Sequence, residues 1–148
     1  MKKYIFFLIV ILSISIVSCN DNCSDLDAPA APSLFVDIID QTTENNVFVD
    51  SMYLDTQVIV QDLEENDIPF SVVFDSRLMH IVLESKVLID DTLYIKMNNP
   101  DTMEKDSIKL YYSTEKINEE CYTQYKINSV TIPDNQNELA NGIYKVKI

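Results

Sequence analysis

Nucleophilic or acid–base chemistry in this sequence would have to run through His80, the only histidine. A Ser-His-Asp or Cys-His site needs a histidine as proton carrier, and no Gly-x-Ser-x-Gly elbow is present to expose a serine. His80 therefore reads as a strand residue that faces solvent or takes a hydrogen bond. Carboxylates are abundant instead, 24 Asp and Glu in 148 residues. Pairs such as Asp90-Asp91 and Glu119-Glu120 could in principle act as acid and base on a glycosidic bond. Neighbours on a strand point to opposite faces, however, and so many acids bring pairs together by chance. Calcium would suit the oxygens of "DLEEND", where Asp62, Glu64, Glu65 and Asp67 share one polar loop. The EF-hand pattern fails there: no glycine sits at the sharp turn and Val73 stands where the bidentate glutamate belongs, so a solvated turn is expected. Zinc would have Cys23, Cys121 and His80, whose spacing matches no finger or ribbon. The chain is expected to be no enzyme and to hold no metal or cofactor.

Binding chemistry is better served. Among the eight tyrosines, which include Tyr111-Tyr112, Tyr122 and Tyr125, period-two alternation puts Tyr94 and Tyr111 on an outward face. Rings there can stack on a sugar or on a partner protein. Tyrosine is also simply a good strand former, and the absence of tryptophan weakens the sugar version. Tyr94 and Tyr111 stand as the candidate ligand-binding residues. The net charge of −13 excludes nucleic acid, since a phosphate backbone is gripped by clustered Lys and Arg that this chain lacks. The excess acid reads as a soluble, self-repelling surface. With Gly142 the sole glycine, phosphate-cradling loops and dinucleotide fingerprints are excluded too.

The first residues carry an address. Met1-Lys2-Lys3 is a positive start, and Tyr4 to Val17 is apolar except for Ser13 and Ser15. A charged head, an apolar stretch and a small residue before the cut make a secretory signal. The stretch is short of the roughly 20 residues of a permanent span. Ile16-Val17-Ser18-Cys19 resembles the lipobox of bacterial lipoproteins. That resemblance implies that the Cys19 thiol is acylated with diacylglycerol, that residues 1–18 are removed, and that Cys19 becomes the N-terminal membrane anchor. Three acyl chains, at about 0.8 kcal/mol per buried methylene, hold such a protein on its membrane. The following "CNDNCSDLD" resembles the acidic stretch that sends some Gram-negative lipoproteins to the cell surface, and reads equally as an acidic tether with no address in it. The expected location is the outer membrane, on its periplasmic face or at the cell surface.

With Cys19 lipidated as the resemblance implies, Cys23 and Cys121 remain, an even number in an exported protein. A Cys23–Cys121 disulfide is the natural pairing in an oxidising compartment. A free Cys23, or one paired between molecules, stays open. The bond would staple the tether to the body of the domain.

The elements that must position these groups are strands. After a stiff spacer, "APAAP" at 28–32, runs rich in β-branched and aromatic residues follow: "LFVDII" (34–39), "VFV" (47–49), "YLDTQVIV" (53–60) and "FSVVF" (70–74). In "TLYIKM", Leu93, Ile95 and Met97 face one way and Tyr94 and Lys96 the other. In "SIKLYY", Ile108, Leu110 and Tyr112 alternate with Lys109 and Tyr111. "RLMHIVLESKVLI" (77–89) reads as two short strands turning at Glu84-Ser85-Lys86, with a helix as the alternative. "YTQYKINSVTI" (122–132) and "IYKVKI" (143–148) bring the count to about nine. Turn formers separate them: Asn45-Asn46, Glu65-Asn66-Asp67, Asp90-Asp91, Asn98 to Asp101, Pro133 to Asn135 and Asn141-Gly142. The expectation is an all-β chain: signal peptide 1–18, acidic and proline-containing tether 19–33, and one antiparallel β-sandwich over 34–148.

Lipobox, tether and single all-β domain together resemble small surface lipoproteins with an immunoglobulin-like sandwich. The function that follows is a lipid-anchored, non-catalytic binding or structural module that meets a protein or an envelope component. A glycan-binding accessory of a polysaccharide-uptake system is the alternative, and a small hydrolase a more distant one.

Overall fold

The computed structural model describes residues 29–83 and 90–148. The expected signal peptide, Cys19, Cys23 and the turn expected at 84–86 lie outside the described residues. Among the described residues nine strands form: β1 (Ser33–Ile39), β2 (Val58–Asp62), β3 (Phe70–Val72), β4 (Met79–Val82), β5 (Asp90–Asn98), β6 (Lys105–Asn118), β7 (Thr123–Thr131), β8 (Asn137–Ala140) and β9 (Ile143–Lys147). They make two sheets, ordered β3-β4-β1-β9-β8 and β2-β5-β6-β7.

The strands exist because apolar residues recur at every second position. Leu34, Val36 and Ile38 of β1 are buried, as are Met79 and Ile81 of β4 and Val146 of β9. In the other sheet Val58, Val60, Leu93, Ile95, Met97, Ile108 and Leu110 are buried. These belong to one core between the layers, the arrangement of a β-sandwich. The alternation expected for "TLYIKM" and "SIKLYY" is therefore met.

Local chemistry overrides the strand reading in two places. Val47, Phe48 and Val49 form a turn. Asn46 offers its Oδ1 to the amides of Phe48 (2.8 Å) and Val49 (3.3 Å) and donates Nδ2 to Asp37 Oδ1 (2.8 Å) and the Arg77 carbonyl (3.1 Å). A side chain that satisfies the backbone in this way competes with a sheet ladder. Val47 and Phe48 are still buried, as a plug at the end of the sandwich. Likewise, the run from Tyr53 begins with a 3-10 turn at Asp55–Gln57, and β2 starts only at Val58.

Strand β8, "NELA", carries no β-branched or aromatic residue. It forms because Asn141 (φ 53°) and Gly142 (φ 79°) both take the left-handed region, as a two-residue hairpin turn requires, and fold Asn137–Ala140 back on β9. One pairing departs from the antiparallel expectation: β9 lies parallel to β1, with Phe35 opposite Ile143 and Ile39 opposite Lys147. Parallel neighbours need a long crossover, and here almost the whole domain supplies it.

Tyr53 is buried, and its hydroxyl donates to Asp106 Oδ2 at 2.6 Å, tying the loop before β2 to the start of β6. A hydrogen bond to a charged acceptor contributes about 1.5–3 kcal/mol. Tyr53→Phe should destabilise the domain by an amount in that range, read by denaturant unfolding at pH 7. Burial first, and then the Asp106 carboxylate, hold the Tyr53 phenol well above the usual tyrosine range. The folded chain thus keeps a proton that the unfolded chain releases near pH 10. Stability should fall as pH rises past about 10, less steeply in the Phe variant. Equal slopes would remove Tyr53 as the cause.

Candidate binding surface

The outward face of β2, β5 and β6 gathers the candidate tyrosines. Cross-strand register places Gln61 opposite Tyr94, Tyr94 opposite Lys109, and Thr92 opposite Tyr111, which in turn faces Thr131 of β7. Tyr94 and Tyr111 are thus diagonal neighbours, and Lys109 reaches both rings: its Nζ is 4.8 Å from the Tyr111 centroid and 5.8 Å from that of Tyr94. Lys96 Nζ stands 6.0 Å from the Tyr94 centroid and donates to Gln61 Oε1 at 2.9 Å. Gln61 passes the contact on, donating Nε2 to Asp67 Oδ1 at 3.0 Å. Cations above aromatic faces are attracted by the ring quadrupole, and the rings hold the long lysine stems in place. The neighbouring Tyr111 hydroxyl holds the Lys109 pKa above the usual lysine value.

Charge compensation differs between the sheets. Lys145–Glu138 (3.6 Å) and Lys147–Glu44 (3.2 Å) line a cavity of about 320 Å³ on the five-stranded sheet, whose charges are matched locally. Among the described residues, no carboxylate lies within ion-pair distance of Lys96 or Lys109. From Thr92 to Asn98 on β5 and the residues opposite on β2 and β6, the outward positions hold Ile59, Gln61, Thr92, Tyr94, Lys96, Asn98, Lys105, Ser107, Lys109 and Tyr111, with Asp67 as the acid at the Gln61 edge.

Beside Tyr111 lies an open groove of about 250 Å³. Hydroxyls dominate its lining, from Thr92, Tyr111, Ser113, Ser129 and Thr131, and Asp91 and Tyr112 complete it. Ser113 and Ser129 hydroxyls meet at 2.6 Å where a bulge shifts the β6–β7 register between Ser113 and Thr114. Such a bulge re-aims the side chains on its strand. Asp91 accepts from the Thr92 amide (2.6 Å) and the Tyr112 hydroxyl (3.4 Å). Burial and the Asp91 charge push the Tyr112 phenol up to about 12, so it stays a neutral donor.

The remaining candidates fall elsewhere. Cys121 sits at the tip of the β6–β7 hairpin and is disulfide-bonded, with its partner outside the described residues. Tyr122 is at the same tip and Tyr125 is opposite Lys116 further along. His80 projects from the five-stranded sheet and stacks on Phe35, ring centroids 4.7 Å apart. Around "DLEEND", Asp62 closes its own turn, accepting from the amides of Glu64 (2.9 Å) and Asn66 (2.8 Å) and from Asn66 Nδ2 (2.8 Å). Among the described residues no trio of His, Cys, Asp or Glu is grouped to hold a metal.

The two ends of the sandwich also differ. The chain enters β1 at Ser33, and the β6–β7 tip with Cys121 projects at that same end, since the start of β6 is at the other, where Asp106 accepts from the Tyr53 hydroxyl of the loop that follows Ile39. At the far end three loops meet: Asn99 Nδ2 bonds the Met52 carbonyl (2.7 Å) and Asn46 the Arg77 carbonyl. These loops carry Val49, Leu54, Phe74 and Met103, all exposed.

Sequence reasoning placed Tyr94 and Tyr111 on an outward face but did not group Lys96 and Lys109 with them as candidates, and it did not see the hydroxyl groove. One signal was readable: Tyr and Lys share the same parity in both "TLYIKM" and "SIKLYY", which a hairpin at Asn98–Asp101 superimposes. The groove had no such signal, because it takes residues from three strands. Compared with protein-family models, with curated proteins and with solved structures, the chain finds no match.

Proposed function

We propose that this chain is a lipid-anchored, non-catalytic binding module of the outer membrane or cell surface, held by Cys19 and meeting its ligand through the Tyr94–Tyr111 face. The observation that carries the reading is the lysine–tyrosine cluster, two lysines without an ion-pair partner among the described residues, on a chain of net charge −13. The position of Cys121 supports a Cys23–Cys121 staple, because the tether joins the domain at the same end. Ser33 is ten positions after Cys23, a reach of up to about 35 Å.

An immunoglobulin-like identity for the sandwich is supported by strand order. That fold arranges strands ABED on one sheet and CFG on the other. Taking β1 to β6 as B to G reproduces B-E-D as β1-β4-β3 and C-F-G as β2-β5-β6. β9 occupies the place of A, running the other way. Against a hydrolase stands His80, whose ring is stacked on Phe35 and which, among the described residues, is not paired with a nucleophile or acid. The glycan-binding alternative is favoured by the hydroxyl-lined groove beside Tyr111.

The test begins in cells. Cys19→Ala should move the tagged chain from the membrane fraction to the soluble one, and protease added to intact cells should remove the tag only if the domain faces outward. A photo-crosslinking residue at Ser107, on the proposed face, should yield adducts that one at Lys145, on the other sheet, does not. Adducts from Lys145 alone would reject this face.

A further inference from the structure

We infer that the Tyr94–Tyr111 face, resting on the reading above that it is the contact surface, binds a carbohydrate polymer bearing carboxylates, of the polyuronate class. Two adjoining features share the work. The groove supplies hydroxyl donors and acceptors from Thr92, Ser113, Ser129 and Thr131, with the Asp91 carboxylate as an acceptor, the kind of set that pairs with sugar hydroxyls. Tyr111 forms its wall and is 41% exposed, an amphipathic ring on which the apolar face of a sugar can lie.

Next to that wall, Lys109 holds its ammonium between the Tyr111 and Tyr94 rings, and Lys96 follows along the same face. Among the described residues neither has a carboxylate partner of its own. Lys96 is partly relieved through Gln61 and Asp67, which leaves Lys109 as the stronger anion site. A neutral glycan would leave this ammonium unused, whereas a plain polyanion would leave the hydroxyl groove and the ring unused. A polymer that alternates hydroxyl-rich rings with carboxylates uses both.

The net negative charge opposes an anionic ligand, but screening sets its range. At physiological ionic strength charges more than about 8 Å away are largely screened. The strand positions from Ile59 on β2 across to Tyr111 on β6 hold Lys96 and Lys109, while Asp67 is hydrogen-bonded to Gln61 and Asp91 accepts from Thr92 and Tyr112, so Lys109 is the charge that a ligand on the Tyr111 ring meets directly.

The experiment is calorimetric titration of the detergent-solubilised full chain with polygalacturonate, with dextran as the neutral comparator and polyglutamate as the non-carbohydrate polyanion. Polygalacturonate should bind, the comparators at least tenfold more weakly. Lys109→Gln and Tyr111→Ala should each weaken polygalacturonate at least tenfold, while Lys109→Arg and Tyr111→Phe retain it. Both positions are on the outward face, so folding is checked by unchanged melting. Polyglutamate binding as tightly would overturn the carbohydrate part. Dextran binding as tightly, with Lys109→Gln without effect and Tyr111→Ala damaging, would overturn the carboxylate part while leaving the contact face standing. Binding of no polymer would overturn the inference altogether, and the crosslinking comparison of Ser107 with Lys145 would then decide the face independently.

Discussion

Ile95→Ala is expected to cost about 2–5 kcal/mol of folding stability, the range for truncating a fully buried aliphatic side chain. Ile95 lies on β5, with Val60 of β2 and Ile108 of β6 as its register neighbours, and all three are buried. Little can move in to fill the space, because both flanking strands are locked in ladders. A domain of this size holds roughly 5–15 kcal/mol in all, so the loss is a large fraction. Ile59→Ala is the matched control. Ile59 is also on a strand of this sheet but points outward and is 47% exposed, so its truncation should stay within about 0.5 kcal/mol. Denaturant unfolding of both variants reads the difference. Equal losses would mean that the sheet's inward and outward faces are misassigned, and with them the Tyr94–Tyr111 surface.

Cys121→Ser should produce a loss of similar size, up to about 4.7 kcal/mol if the proposed bond to Cys23 closes a loop of about 100 residues. The gain comes mainly from restricting the unfolded chain, so the variant should fold to the same structure while unfolding at lower denaturant. The bond has a second consequence at the anchor. It joins the tether to the end of the sandwich where the chain enters, shortening the free segment to the residues between Cys19 and Cys23. Non-reducing peptide mapping should recover one crosslinked pair, Cys23 with Cys121. A Cys121–Cys121 peptide would instead make the bond an intermolecular one and remove the loop-closure stabilisation.

Period-two patterning survived folding wherever packing was its only rival. Leu93, Ile95 and Met97, and Ile108 and Leu110, went inward as their spacing demanded. It failed where a short polar side chain offered the backbone a nearer partner: Asn46 turned "VFV" into a plug. It also missed β8, whose composition is wrong for a strand and whose pairing is imposed by the Asn141-Gly142 turn.

By itself, then, the sequence determined that the chain is all-β, that Tyr94 and Tyr111 face out, that glycine-dependent phosphate sites are excluded, and that its start resembles a lipoprotein export signal. Each of these depends on residue type and local spacing, which a linear reading contains. Only the tertiary structure decided that β9 lies parallel to β1, that Lys109 sits between two tyrosines, and that hydroxyls from β5, β6 and β7 converge in one groove. Those facts depend on register between strands distant in the chain. Register is set by how two sheets bury a shared core, and no single strand carries that information.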